Sequence, residues 1–367
     1  MNKKGVVLGL VLLLVLLTLA GPVWGHTERT DGYYTLVDVE GRRIARTAHE
    51  VKKGDQYLTA DNKLYRVEQV EENTARLRFV REVNLEAAIA PSLIDRLASA
   101  MARLLPGKEE YVQGENRPVA IYHTHSAESY VPTDGRASIR EHGGIFKVGE
   151  ALAQALRERG VNVIHEKTPH DPHDAMAYDR SRRTATDLLK EKPIALLDIH
   201  RDAVPADEYA DEINNTAVTK AQLVVGRQNP NMKANEAFAY QIKSVVDKKY
   251  PGFIKGIFYA DGKYNQDLAP RLLLVELGSH TNSREEAERG AAIFATAAKE
   301  VLTNPRASNS AVGAGATRSL LWIIGLAAVG LAIYFVVNGG FGKIRTGLGG
   351  GNEGTEGDSD RHGPKEE

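Results

Sequence analysis

The 367-residue chain contains no cysteine. That excludes disulfides, thiolate metal ligands and cysteine nucleophiles together, so any metal must be held by histidine and carboxylate. A strong net charge is also missing: 47 Lys and Arg stand against 48 Asp and Glu, for a net charge of −1. Bulk electrostatics therefore imply no nucleic-acid partner. No internal repeat is present. There is no Gly-x-Ser-x-Gly elbow to support a serine mechanism at Ser126 or Ser129.

Long apolar runs occur twice. Residues 5–25, "GVVLGLVLLLVLLTLAGPVWG", follow Lys3 and Lys4. This is the pattern of a signal peptide cut near Gly25, or of an uncut membrane anchor. Residues 320–337, "LLWIIGLAAVGLAIYFVV", carry no charge. As a helix they span ~27 Å, about one hydrocarbon core, which predicts a transmembrane segment over 318–339. Lys343 and Arg345 follow and favour a cytoplasmic tail. The part between the two runs is then expected outside the cytoplasm.

Between the runs, residues 32–83 alternate in the manner of strands, with turn chemistry at Glu40-Gly41, Lys53-Gly54-Asp55 and Ala60-Asp61-Asn62. They predict a small all-β module with no catalytic cluster, serving as a spacer or a binding element. Residues 84–118 predict a helix, to about 105, and a linker. From 119 to 303 strand and helix patterns alternate, which predicts an α/β domain with a central mixed sheet and helices on both faces. Residues 304–317 predict a flexible linker and 340–367 a disordered tail.

Ligands of open α/β sheets bind beyond the carboxyl ends of strands. Three predicted strands end in suitable residues. "VAIYHTHSAE" leads to His123, His125 and Glu128; "IALLDIHRD" to Asp198, His200, Arg201 and Asp202; "LLLVELGSHTN" to Glu276, His280 and Asn282. The i, i+3 spacing of His125 and Glu128 on a tight turn lets both face one point. A histidine from a second strand would complete three ligands and leave a position for water, the layout of a catalytic zinc site. Glu276, inside an apolar strand, is costly to bury unpaired and is the candidate base. Arg201 could stabilise an oxyanion, bind a substrate carboxylate, or merely pair with Asp198 or Asp202. "HDPHD", with His170, Asp171, His173 and Asp174, is the rival metal site, or else a Pro-broken loop. "RSRR", 180–183, is expected to be a solvated helix face, and His280 and Asn282 to serve the entry of the last helix.

The stretches "YHTHSAESY", "HDPHDAMAYDRSRRTA", "DIHRDA", "VVGRQNPN" and "YNQDLAPRLLLVELGSHTNSREEAER" together resemble the stage II sporulation protein P family. The resemblance covers about residues 117–303, in order, and leaves out the β module and the carboxyl-terminal apolar run. It implies a zinc-dependent N-acetylmuramoyl-L-alanine amidase, which cuts the amide between the lactyl group of the glycan and the stem peptide. It also implies endopeptidase activity on cross-links, and action at the sporulation septum during engulfment with sporulation proteins D and M. Carried onto this chain, the resemblance implies His125, Glu128 and His200 as zinc ligands and Glu276 as general base. In the wider amidase group the ligand glutamate lies further along, near Glu141, so that alternative stays open. The competing expectations are a non-catalytic wall-binding or septal scaffold and a metallopeptidase acting on proteins.

Overall fold

Val119, Ala120, Ile121 and Tyr122 form β6 (Val119–Tyr122), and all four are inaccessible to solvent. A strand of this kind has to be covered on both faces. The computed structural model describes residue 29 and residues 31–89 and 117–303. The first stretch holds β1 (Tyr34–Val37), β2 (Arg43–Thr47), β3 (Gln56–Thr59), β4 (Lys63–Glu71), β5 (Thr74–Glu82) and the short helix α1 (Leu85–Ile89). The second holds β6, α2 (Val131–Asp134), α3 (Ile145–Arg157), β7 (Val163–His165), α4 (Ala177–Lys190), β8 (Ala195–Asp202), β9 (Ala210–Ile213) and β10 (Thr216–Thr219). It continues with β11 (Ala221–Gly226), α5 (Met232–Lys249), β12 (Ile254–Ala260), β13 (Leu272–Ser279) and α6 (Arg284–Thr303).

Alternation along the strands sorts the two faces. Val119, Ile121, Leu197 and Ile199 share a core with Val148 and Leu152 of α3, Phe238 of α5 and Phe294 of α6. Ala120, Tyr122, Leu196 and Leu272 turn the other way, against Ala185 and Leu188 of α4. The predicted helices on both faces are therefore present. Asp198, His200 and Glu276 continue the second series, so their side chains rise on the α4 face.

The strands form one sheet in the order β2-β1-β5-β4-β3-β12-β11-β13-β8-β6-β7. β13 runs parallel to β8, and β8 to β6, while β11 is antiparallel to β13. The carboxyl ends of β6, β8 and β13 thus lie side by side. β3 pairs antiparallel with β12, from Gln56 opposite Tyr259 to Thr59 opposite Gly256. The predicted β module is thereby an extension of the central sheet. Leu36 and Ala45 of this extension share a core with Phe258 and Leu274, on the same face as Glu276.

Several elements went unpredicted, among them β12 and the β9–β10 hairpin. β12 is broken in sequence by Gly256, where a Cβ would collide with the Tyr57 hydroxyl and the Leu58 carbonyl. The β9–β10 hairpin turns on Asn214 and Asn215, with φ of 54° and 59°, a pair of left-handed residues suited to a type I′ turn. The helix predicted from 84 to about 105 is described only as α1. Both predicted membrane segments lie outside the described residues, and among the described residues no helix is long and apolar enough to cross a membrane.

Candidate metal centre and hydrolytic site

After β6 the chain folds into a turn closed by Glu128 N–H donating to the His125 carbonyl (3.1 Å). The turn returns Glu128 beneath His125, which is what the i, i+3 spacing requires. Glu128 Oε1 lies 3.3 Å from His125 Nδ1 and 3.2 Å from His200 Nδ1. Its Oε2 accepts the Arg201 backbone N–H at 2.9 Å, which fixes the rotation of the carboxylate. Donor atoms ~2.0–2.1 Å from a tetrahedral zinc are about 3.3 Å from one another, so these two separations fit edges of such a tetrahedron.

His200 is held from behind. Its Nε2 stands 2.9 Å from Asp198 Oδ1. Asp198 in turn accepts Thr124 N–H (2.8 Å) and the Thr124 hydroxyl (2.6 Å). A carboxylate behind a histidine whose other nitrogen faces a cation is the usual outer layer of a metal site.

Without a metal, His200 and Glu128 form an ion pair, and a cation held there would take the place of the His200 Nδ1 proton. Burial opposes an imidazolium at His200, but Asp198 and Glu128 on either side outweigh it and hold its pKa well above the ordinary value. Burial likewise opposes ionisation of Glu128, but His200 and Arg201 prevail and hold it well below the carboxylate range. His125 is pushed down to about 4 by burial and by His173, so its ring is neutral near pH 7. His125 Nε2 has no hydrogen-bond partner, and Nδ1 meets only the Glu128 carboxylate, although the ring is buried. That arrangement is costly unless a lone pair meets a cation. Two imidazoles and a carboxylate, with no thiolate, suit zinc or a similar divalent ion.

His173 joins the same place. Its ring stacks on His125 with centroids 4.0 Å apart, and ligand atoms of His125, Glu128 and His173 lie within 4.8 Å of one another. The rest of the rival "HDPHD" site does not assemble. His170 uses Nδ1 on the His123 carbonyl (2.7 Å) and Nε2 on the Thr184 hydroxyl (2.8 Å). Asp171 accepts from the Ser126 hydroxyl and Glu141 N–H, each at 3.0 Å, and Asp174 pairs with Arg180. The Glu141 side chain is exposed and lies beside Arg140, while Glu128 is buried against both histidines. His123 points elsewhere, with Nδ1 on the Ile199 carbonyl (2.9 Å) and Nε2 on His165 (2.8 Å).

Glu276 is fully buried directly opposite His200 in the β13–β8 register. Burial pushes its carboxyl up to about 7. Its Oε1 meets His49 Nε2 at 2.8 Å, while Oε2 has no hydrogen-bond partner. Just beyond it, Gly278 takes φ +77° at a bulge against Thr219. A side chain there would be strained, and the bulge ends the regular pairing just past Glu276.

Arg201 follows the odd residues of β8, away from His200, and its guanidinium donates to the Ala137 carbonyl at 3.1 Å. It fastens the loop that carries Glu128. Asn282 Oδ1 accepts Ser279 N–H (3.0 Å) at the entry of α6, and the His280 carbonyl accepts Val131 N–H (2.8 Å). Arg180 and Arg182, expected to be solvated, instead bind the His170 carbonyl (2.7 Å) and Asp267 (2.7 Å). His49 escaped the sequence reading: it is a single histidine in "RTAHEV", and no motif or spacing marks it.

Three comparisons bear on this geometry. The profile of the family described as Stage II sporulation protein P (SpoIIP) matches residues 37–299. The match starts within β1, so the N-terminal strands fall inside the family and not outside it, as the resemblance over 117–303 implied. Stage II sporulation protein P of Bacillus subtilis (strain 168) is 30% identical over 253 residues, 64% of this chain and 63% of that protein. The chain thus aligns with under two thirds of its relative's length. Among solved structures, an N-acetylmuramyl-L-alanine amidase of Mycobacterium smegmatis is 16% identical and covers 51% of this chain and 98% of its own, with a TM-score of 0.36. The CwlD amidase of Clostridioides difficile, solved in complex with the GerS lipoprotein, is 14% identical over 51% of this chain and 98% of its own, with a TM-score of 0.32. At these scores the two structures carry no functional argument.

Proposed function

The chain belongs to the stage II sporulation protein P family, and from that premise we propose that it is a zinc-dependent peptidoglycan hydrolase of the N-acetylmuramoyl-L-alanine amidase class. The observation that carries the proposal is one buried centre. Two neighbouring strand tips, those of β6 and β8, bring His125 and His200 to within 3.3 Å of one Glu128 carboxylate oxygen, with Glu276 on the adjacent β13.

His125, Glu128 and His200 would hold the ion; His173, whose ligand atom clusters with those of His125 and Glu128, is the alternative third ligand. Bound zinc supplies a polarised amide carbonyl and a water acidified to a pKa of ~7. Glu276 Oε2 receives the proton of the attacking water as the new carbon–oxygen bond forms. It then gives that proton to the amide nitrogen as the carbon–nitrogen bond breaks, releasing the stem peptide as an amine and the lactyl group as a carboxylate. Asp198 keeps the His200 ring turned, and Arg201 keeps the Glu128 loop closed. The placement at the septum during engulfment, with sporulation proteins D and M as partners and the site on the outer side of the cell membrane, extends the same proposal. So does endopeptidase action on cross-links.

Mass spectrometry of purified sacculi treated with the protein identifies the broken bond. Stem peptides ending in a free L-alanine amine, lost with a chelator and restored with zinc, are expected. Sacculus binding without products would instead favour a scaffold, and cleavage of protein substrates with intact sacculi a metallopeptidase.

A further inference from the structure

A further chain segment reaches the centre, and it comes from the N-terminal strands. His49 lies just past β2 and is 2% exposed. Its neighbours are clamped to the main domain. Ala48 N–H donates to Asp202 Oδ1 (2.9 Å), and the Tyr209 hydroxyl donates to the other oxygen of that carboxylate (3.0 Å). Lys255 Nζ donates to the Arg46 carbonyl (3.3 Å). The ring rests against Phe258 and Tyr264, with centroids 5.8 and 6.1 Å away. So held, it places Nε2 2.8 Å from Glu276 Oε1.

A carboxylate can turn about its terminal torsion, which is broad. Displacement of a reacting atom by ~1 Å can cost about 100-fold in rate. One fixed donor on one oxygen removes that freedom. Such a donor leaves the second oxygen without a hydrogen-bond partner of its own.

We propose that His49 is a positioning residue: its Nε2–H holds Glu276 Oε1 and so presents Oε2 as the oxygen that exchanges the proton. The N-terminal strands then belong to the hydrolytic site and are no spacer. The consequence for turnover rests on the hydrolase function proposed above; the contact itself does not.

The test uses the full chain with zinc, comparing wild type, His49→Leu, His49→Gln and Glu276→Gln. His49→Leu is expected to lose about 10- to 100-fold in kcat, with KM, zinc content and sacculus binding unchanged. His49→Gln, which keeps a side-chain donor, is expected to recover part of the loss. A purely structural role would not distinguish glutamine from leucine in this way. Independently of turnover, side-chain ¹⁵N spectra should show His49 protonated at Nε2, with that signal absent in His49→Gln and shifted in Glu276→Gln. An unchanged kcat in His49→Leu, no advantage of glutamine over leucine, or an unprotonated Nε2 overturns the proposal. Should His49→Leu not fold, the glutamine variant and the wild-type spectrum decide. If wild type cuts no sacculi while the His49 signal still responds to Glu276→Gln, the hydrolase function fails and the positioning contact stands.

Discussion

Replacing Asp198 by asparagine removes one negative charge and almost no volume. In the native site Thr124 N–H at 2.8 Å and the Thr124 hydroxyl at 2.6 Å donate to this buried carboxylate, and His200 Nε2 stands 2.9 Å from it as an ion-pair partner. Asparagine offers one acceptor oxygen and two hydrogens of its own, so at least one contact becomes donor against donor. An unsatisfied buried group costs about 1–3 kcal/mol. For a domain of this size that lowers Tm by about 2–12 °C. The effect on the metal is separate. Loss of a carboxylate behind a ligand histidine lowers metal affinity about 10- to 100-fold, equivalent to about 1.4–2.7 kcal/mol. Competition with a chromophoric chelator measures the zinc affinity, and thermal melts of metal-free and zinc-loaded protein measure the stability. Zinc affinity within about twofold of wild type, with Tm lowered as expected, would refute the claim that Asp198 acts through His200 on the ion.

The ligand set can be read from two further variants. His200→Ala is expected to abolish stoichiometric zinc by elemental analysis, while His173→Ala keeps it; the reverse result would make His125, Glu128 and His173 the ligands. Activity should also report Glu276. Its carboxyl, raised by burial to about 7, can accept a proton only when ionised. kcat/KM should therefore rise with pH and level off at about 7, or somewhat lower with a cation beside it. Equal rates at pH 5 and pH 8 would remove Glu276 as the base, and Glu276→Gln should lose activity at every pH.

The three strand tips were legible because each pairs an apolar run with polar residues at its end, and because parallel strands in one sheet must align those ends. Glu276 was legible because a carboxylate between Val275 and Leu277 has no cheap explanation. The choice of Glu128 over Glu141 was not fixed by spacing alone; the turn hydrogen bond from Glu128 to His125 settles which carboxylate lies under the rings. His173 could not be separated from its neighbours in "HDPHD", because only the tertiary partners of His170, Asp171 and Asp174 remove those residues from contention. His49 was illegible for a stronger reason. Its placement depends on β3 joining β12, a pairing between residues about two hundred positions apart, and β12 itself was hidden by Gly256. Local periodicity carries no record of such a joint.

β13 sits between β11 and β8, and among the described residues it is the last strand to be made. A polypeptide that stops before Leu272 already contains His49, His125, Glu128, His173 and His200. It lacks the middle plank of the sheet, and with it the carboxylate those residues serve. Under the function proposed above, a chain cut short there would hold its metal ligands without its base, and so could bind the ion without using it.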